Sequence, residues 1–415
     1  MKKIGLLLLA VVFVLSFPVY GAAAEEVVTY KVPVISDFTG GYAELFKAWV
    51  PVQKAVFGYW NDTTGKELGV KLELKHYDGR YDPTVIASLW PGALADCKPV
   101  IIGLGGGGAD VAALQQRLPQ DEVPMIYGTA AYGYGWIPDQ WLFQVRPTYL
   151  HEFAAALRWY IDKHPEKRPV RFGVIGINIQ ASLDLVKGIQ KYVKDNLEPK
   201  GLCVISDVKF SELNPVDMSS QVKAMIDSKT DIVAGPATTA MAIAYMRACQ
   251  TYGVNIPTIA SPHHTIWPYA KAMKTYEPFT GHLVAAGHVS ITDKNSATYK
   301  WFKEDLMGKY KLPEALWNVY SMMALNQSIL AVRAVEHAAK KVGAKNLTGR
   351  AVYEALLADP FTTEELMGSL PSLKFTKDAP FSLYDPKVML ETVKDGQYVL
   401  ADPNWVLVPK DVEKW

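Results

Sequence analysis

Strand-like and helix-like segments alternate along this chain in two successive runs, each of four strands and three helices, with only short connections between them. In the first run the apolar patterning predicts strands at 27–35, 70–77, 99–103 and 123–127. Helices at 40–60, from Asp82-Pro83 onward and at 109–118 separate them. Asp suits the cap and Pro the first turn of the middle helix. The second run predicts strands at 171–177, 202–208, 231–234 and 257–260, with helices at 182–196, 216–228 and 238–252. Strands that alternate with helices in this way pair in parallel and are covered by their crossover helices. Two such runs predict two α/β lobes facing each other across a cleft. Residues 141–145 lead through Arg146-Pro147 into a helix at 149–163 that precedes the second run. The remainder forms no third run: 281–289 reads as a strand, 297–310, 315–341 and 347–357 as helices. The tail, 373–409, reads as short strands with a hairpin at Asp395-Gly396.

Residues 1–24 stand apart from this pattern. Lys2 and Lys3 precede an apolar run from Ile4 to Leu15, and Ala22-Ala23-Ala24 offers a small-residue cleavage site before Glu25. That is the pattern of a signal peptide, and its apolar run is too short to span a bilayer stably. The absence of a cysteine beside the site argues for free export and against a lipid anchor. Across 415 residues, 43 Lys and Arg face 42 Asp and Glu, so nothing advertises the basic face a nucleic-acid partner needs. Cys97, Cys203 and Cys249 are too few and dispersed for a disulfide scaffold. Cys203 with Cys249 is the one pair to consider, and buried thiols are the reading preferred here.

Residues 103–108, Gly-Leu-Gly-Gly-Gly-Gly, match the spacing of a dinucleotide-binding turn between a strand and a helix. They follow the third strand and not the first, however, and the acid expected at the end of the next strand is missing, since Asp121 and Glu122 precede it. What remains is physical: missing side chains let a ligand approach the backbone, and N–H groups at the start of the next helix favour an anion such as a carboxylate. The loop at 127–136 carries Thr129, Tyr132, Tyr134 and Trp136 beside that turn. It reads either as one wall of the cleft or as an aromatic loop packed on its own lobe. His263 and His264 hold the equivalent loop of the second run. Adjacent histidines point apart and make a weak metal signal, so one of them as a hydrogen-bond donor to a ligand is preferred. His282 and His288 are expected to be structural. There is no G-x-S-x-G, no H-E-x-x-H and no cysteine in a catalytic context, so neither catalysis nor a cofactor is expected.

Four stretches together resemble the periplasmic solute-binding proteins of ABC transporters, specifically the branched-chain amino-acid (leucine/isoleucine/valine) binding family. Asp37-Phe38-Thr39-Gly40-Gly41-Tyr42-Ala43 looks like that family's first loop, and 72–83, with Tyr77-Asp78 and Asp82-Pro83, like its second strand and turn. Ile101-Ile102-Gly103 and Val123-Pro124-Met125-Ile126 look like its third and fourth strands. The resemblance implies a type I periplasmic-binding-protein fold, two lobes of parallel sheet flanked by helices and joined by three hinge crossings, near Arg146, Ala285 and Ser369. The lobes would comprise 25–146 with 285–369, and 147–284 with 370–415. It further implies a monomeric periplasmic protein that carries a small solute to a membrane ABC permease. A ligand-sensing partner of a membrane receptor is the alternative, and an exported hydrolase a lesser one.

The same resemblance implies a binding site. Its positions here are Thr39 and Tyr42 in the first loop, Gly106, Gly107 and Gly108 after the third strand, and Thr129, Ala131 and Tyr132 after the fourth. On the second lobe Asn178 and Ala237 stand where the family commonly has Tyr, and His263 where it has an acid for the ligand's ammonium. Without that acid a buried ammonium stays unpaired, at a cost of several kcal/mol. An apolar or aromatic carboxylate is therefore the expected ligand, ahead of a hydrophobic amino acid.

Overall fold

The computed structural model describes residues 27–128, 138–139, 141–235, 238–262, 266–379, 381 and 384–412. The expected signal peptide lies outside them. The first sheet contains β1 (Val28–Ser36), β2 (Val70–Asp78), β3 (Gly103–Gly105), β4 (Met125–Tyr127) and β5 (Leu142–Gln144), in the order β2-β1-β3-β4-β5. Every neighbouring pair is parallel. Strand β1 is rich in β-branched residues and buried on both faces toward its end, as a central strand between helix layers must be. Strand β3 begins later than the apolar run suggested. Leu104 pairs with both Val34 and Ile126, while Ile101 and Ile102 are buried on the way in. Strand β5 adds a paired strand where the sequence showed only a connection, three residues being too short to leave a periodic signal.

The helices that cover this sheet start where local chemistry starts them. Helix α1 (Ala43–Asp62) buries Phe46, Trp49, Val52, Val56 and Phe57. Helix α2 (Pro83–Asp96) has Pro83 in its first turn, and Asp82 Oδ1 accepts from Thr84 N at 2.7 Å. A helix of about two turns, α3 (Gly108–Leu114), follows the glycine turn.

The second sheet repeats the plan. Strands β6 (Val170–Ile177), β7 (Cys203–Ser211), β8 (Ile232–Ala234), β9 (Thr258–Ala260) and β10 (Leu283–Ala286) run in the order β7-β6-β8-β9-β10, all parallel. Strands β11 (Lys387–Lys394) and β12 (Gln397–Leu400) then extend it antiparallel. Their hairpin turns at Asp395 and Gly396, with φ of 52° and 68°, as the Asp-Gly pair predicted. Helices α4 (Tyr149–Lys163), α5 (Gln180–Tyr192) and α6 (Thr239–Thr251) flank this sheet. The long helix α7 (Val319–Val342) returns to pack on α1. Asn318 caps α7, its Oδ1 accepting from Tyr320 N and Ser321 N at 3.0 Å each.

The apolar cores follow the two sheets. One gathers residues from Tyr30 to Val145 and again from Val289 to Phe375. The others lie on the two faces of the second sheet, drawing on residues from Tyr149 to Ala285 and from Val388 to Val412. We place the three crossings between these cores at 146–148, at 286–288 and between 376 and 387. Leu370, Leu373 and Phe375 pack into the first core, which is why we propose the third crossing after Phe375 and not near Ser369. The first two crossings touch. Arg146, 1% exposed, pairs with Glu152 at 2.7 Å, Glu152 Oε1 also accepts from Gly287 N at 3.2 Å, and a side chain on Gly287 would meet Arg146 and Pro147 at 2.8 Å.

Cys97, Cys203 and Cys249 are all buried and free. His282 and His288 are buried as structural residues, His282 Nδ1 lying 2.9 Å from Thr258 Oγ1. Burial lowers the pKa of His282 to about 3. A histidine with a lowered folded-state pKa stabilises the protein above its unfolded value of about 6.5, and that stability is lost as pH falls. Each such group costs about 2 kcal/mol by pH 5, at 1.36 kcal/mol per unit. Glu152 and Asp110, raised to about 7 by burial, act in the opposite sense over the same window. Urea unfolding of wild type and His282→Asn at pH 7 and pH 5 isolates the histidine. The variant should lose about 2 kcal/mol less between the two pH values, and equal losses would show that His282 does not govern this dependence.

Candidate functional site

In both sheets the strand order reverses at the first strand, between β1 and β3 and between β6 and β8. Open α/β sheets leave a crevice beyond the carboxyl ends of the strands at such a reversal. Here the two crevices face one another and form a single cleft of about 130 Å³, lined by both lobes.

The wall on the first lobe is built by two carboxylates that hold loops in place. Asp37, at the end of β1, accepts from Gly40 N at 2.5 Å and Tyr42 N at 2.7 Å. This turn aims Tyr42, and Leu45 and Phe46 of α1, at the cleft. Gly40 has to be glycine, since a Cβ there would sit 2.3 Å from the carbonyl oxygen of Arg80. From that second loop comes Tyr81, in the left-handed region at φ 53°, its ring 4.5 Å from that of Tyr42. The Tyr81 hydroxyl accepts from Gly108 N at 3.2 Å.

The glycine turn lies behind these rings. Gly106 and Gly108 line the cleft, and a side chain on Gly106 would meet the Phe46 ring at 2.6 Å. Gly107 is buried and donates its N–H to Asp110 Oδ2 at 2.6 Å. The N–H groups expected to take a ligand's carboxylate are therefore bonded within the protein, one to Asp110 and one to Tyr81. Burial raises the Asp110 pKa to about 7, against the lowering effect of its backbone hydrogen bonds. Gln327 on α7 ties the base of the turn, donating to Gly105 O and Ile126 O at 2.7 Å each.

On the second lobe, β6 and α5 form the wall. Gly176 brings them together, since a Cβ there would meet Val186 at 2.8 Å and Phe210 at 3.0 Å. Ser182 closes the strand end, its Oγ accepting from Ile177 N at 2.9 Å. Beside it lie Ala234, Gly235 and Ser261 from the ends of β8 and β9, while Tyr149 and Phe153 of α4 and Met323 of α7 complete the lining. Gly235, at φ 127°, sits in a conformation that favours glycine. Among the described lining residues none is charged.

Of the positions expected from sequence, Tyr42, Gly106 and Gly108 line the cleft. Gly107 faces inward. Thr39 is exposed and donates to Asp78 Oδ2 at 2.7 Å, tying the first loop to β2. Asn178 is exposed at the rim, and its neighbour Ile179 lines the cleft. Thr129, Ala131, Tyr132, Ala237 and His263 lie outside the described residues, as do Tyr134, Trp136 and His264. Sequence reasoning missed Phe46, Tyr81, Tyr149, Phe153, Val186 and Ile189. An apolar residue on an amphipathic helix carries the same signal whether it fills a core or faces a cavity. Among the described residues no three His, Cys, Asp or Glu side chains converge as a metal site, and no helix is long and apolar enough to cross a membrane.

A family model described as periplasmic binding protein matches residues 29–378. No curated protein matches the sequence. Solved structures share the fold at low identity. A branched-chain amino acid ABC transporter protein from Thermus thermophilus with bound valine is 14% identical, over 91% of this chain and 96% of that one, with a TM-score of 0.76. A fatty acid ABC transporter substrate-binding protein from Thermomonospora curvata is 18% identical, over 93% and 94%, at 0.72. A solute-binding protein of an ABC transporter from Rhodopseudomonas palustris, in complex with p-hydroxybenzoic acid, is 15% identical, over 92% and 97%, at 0.71.

Proposed function

Because the chain belongs to the periplasmic binding protein family, we propose that it traps a small, mostly apolar organic solute between its lobes and delivers it to a membrane ABC permease. The observation that carries this reading is the cleft itself: it joins the strand-order reversals of both sheets and is walled by Leu, Ile, Val, Phe and Tyr side chains from both lobes. A concave apolar site with a few polar groups at its edge suits one small molecule. Export to the periplasm agrees with the signal-peptide pattern of residues 1–24.

Within the family we read the chain as a relative of the branched-chain amino-acid binders whose specificity has moved away from amino acids. No acidic side chain among the described lining residues is available to an α-ammonium. The geometry also favours a neutral hydrogen-bonding head over the carboxylate expected from sequence. Gly107 N and Gly108 N are already engaged, and Asp110 lies behind them. The neighbouring structures named above bind an amino acid, an aromatic acid or, by description, fatty acids. An apolar solute falls within that range.

A thermal-shift screen against hydrophobic amino acids, aromatic acids, aliphatic acids and their amides tests this. A true ligand at 100 times its Kd should stabilise the protein by about 2.7 kcal/mol. Small-angle scattering with the same ligand should show a smaller radius of gyration. The amide or desamino acid should bind more tightly than the amino acid of the same skeleton. If no small solute shifts the melting temperature, the binding-protein reading of this cleft fails. If the amino acid binds best, the change of specificity fails.

A further inference from the structure

The cleft does not stop at the interface between the lobes. Along β6, Val174 and Gly176 face α4 and α5, whereas Ile175 and Ile177 face the opposite side of the sheet, as the two separate cores show. The cavity lining includes Val174, three residues back from the strand end, together with Phe153, Val186 and Ile189 on the same face. These four side chains are 1–6% exposed and still border open space. From Ile179 at the rim to Ile189, the lining follows α5 for about 15 Å at 1.5 Å per residue.

We propose that this arm of the cleft, between β6 and helices α4 and α5, receives the aliphatic tail of an amphipathic solute whose polar head stays between the lobes. The proposal rests on the reading of the chain as a binding protein and names the class of solute. The side chains that line the arm, Phe153, Val174, Val186 and Ile189, are all hydrocarbon, so its occupant there is hydrocarbon too, because a polar group would lose its hydrogen bonds to water without replacement. An apolar cavity of about 150 Å³ takes a benzene-sized group, so the 130 Å³ of the whole cleft, head region included, suits a short tail. The head finds the Tyr42, Tyr81 and Tyr149 rings with Ser182 and Ser261 at the mouth. Val186 and Ile189 set the length of the tail. Val186 stands opposite Gly176, and Ile189 is the lining residue farthest along α5.

Isothermal titration with butanamide, hexanamide, octanamide and decanamide, and with the matching carboxylates, reads this directly on the mature protein. Each buried methylene is worth about 0.8 kcal/mol, or roughly fourfold in affinity. Affinity should climb by about that factor per carbon and level off once the arm is full. Ile189→Ala should move the plateau to a longer chain and Val186→Phe to a shorter one, with melting curves confirming that each variant folds. If Val186→Phe does not fold, the Ile189→Ala shift decides alone. Affinity independent of chain length, or a plateau unmoved by Ile189→Ala, overturns the arm. So does binding confined to compact solutes such as leucine, and in each of these cases solute capture by the cleft stands. If nothing in this series or the wider screen binds, it is the binding-protein reading that falls, and the arm falls with it.

Discussion

Arg146→Met should cost about 3–5 kcal/mol of folding stability, the usual penalty for stranding one member of a buried ion pair. Arg146 and Glu152 are 1% and 0% exposed, 2.7 Å apart, at the place where the first two crossings meet. Burial raises the Glu152 pKa to about 7 even with the guanidinium and Gly287 N bonded to it. Without the arginine the carboxylate has to be protonated on folding. The deficit should therefore shrink as pH falls toward the ordinary carboxyl range, and it should be largest at alkaline pH. The double variant Arg146→Met with Glu152→Gln removes the stranded charge and keeps an acceptor for Gly287 N, so it should recover at least half of the loss. Urea unfolding of the three variants at pH 5 and pH 8 measures all of this. A single-variant cost below about 1 kcal/mol would place the pair among those that contribute little.

Gln327→Leu should cost about 2–4 kcal/mol, from one to three for each buried polar group left without a partner. The side chain is buried and its amide donates to the carbonyls of Gly105 at the end of β3 and Ile126 within β4, while Gln53 Nε2 donates to its Oε1 at 3.3 Å. Leucine fills the space without replacing any of these bonds. Gly105 O keeps the bond from Gly128 N and Ile126 O keeps its place in the β3–β4 ladder, so the larger loss falls on Gln53. Adding Gln53→Leu should then cost less than the sum of the single changes, because it removes a group already stranded. Denaturation midpoints of the two single variants and the double give the coupling. Strict additivity would mean that the two glutamines do not act together. Gln327 also fixes the base of the glycine turn, so solute affinity should fall in the same variant.

The parallel layout was legible because it depends on local signals. Alternating apolar and amphipathic segments, Pro83 after Asp82, and Asp395 before Gly396 each carry their structural meaning within a few residues. Short strands were less legible. Gly103–Gly105 and Leu142–Gln144 pair over three residues each, and what fixes their limits is the register of the neighbouring strand. The glycine turn was partly legible. Its need for missing side chains was correct at Gly106, where Phe46 fills the space, but the partner of Gly107 was not foreseen, because Asp110 reads in sequence as an ordinary helix residue.

By itself, then, the sequence determined two α/β units, the order of their elements and the side of each sheet on which loops gather, since these follow from periodicity, turn chemistry and the handedness of parallel connections. Only the tertiary structure decided what the cleft offers a solute. Whether Val186 and Ile189 fill a core or border a cavity depends on how closely α5 approaches Gly176, a distance set by packing between elements far apart in the chain. Whether a backbone N–H is free for a ligand depends in the same way on Tyr81 reaching Gly108 from a loop 27 residues away.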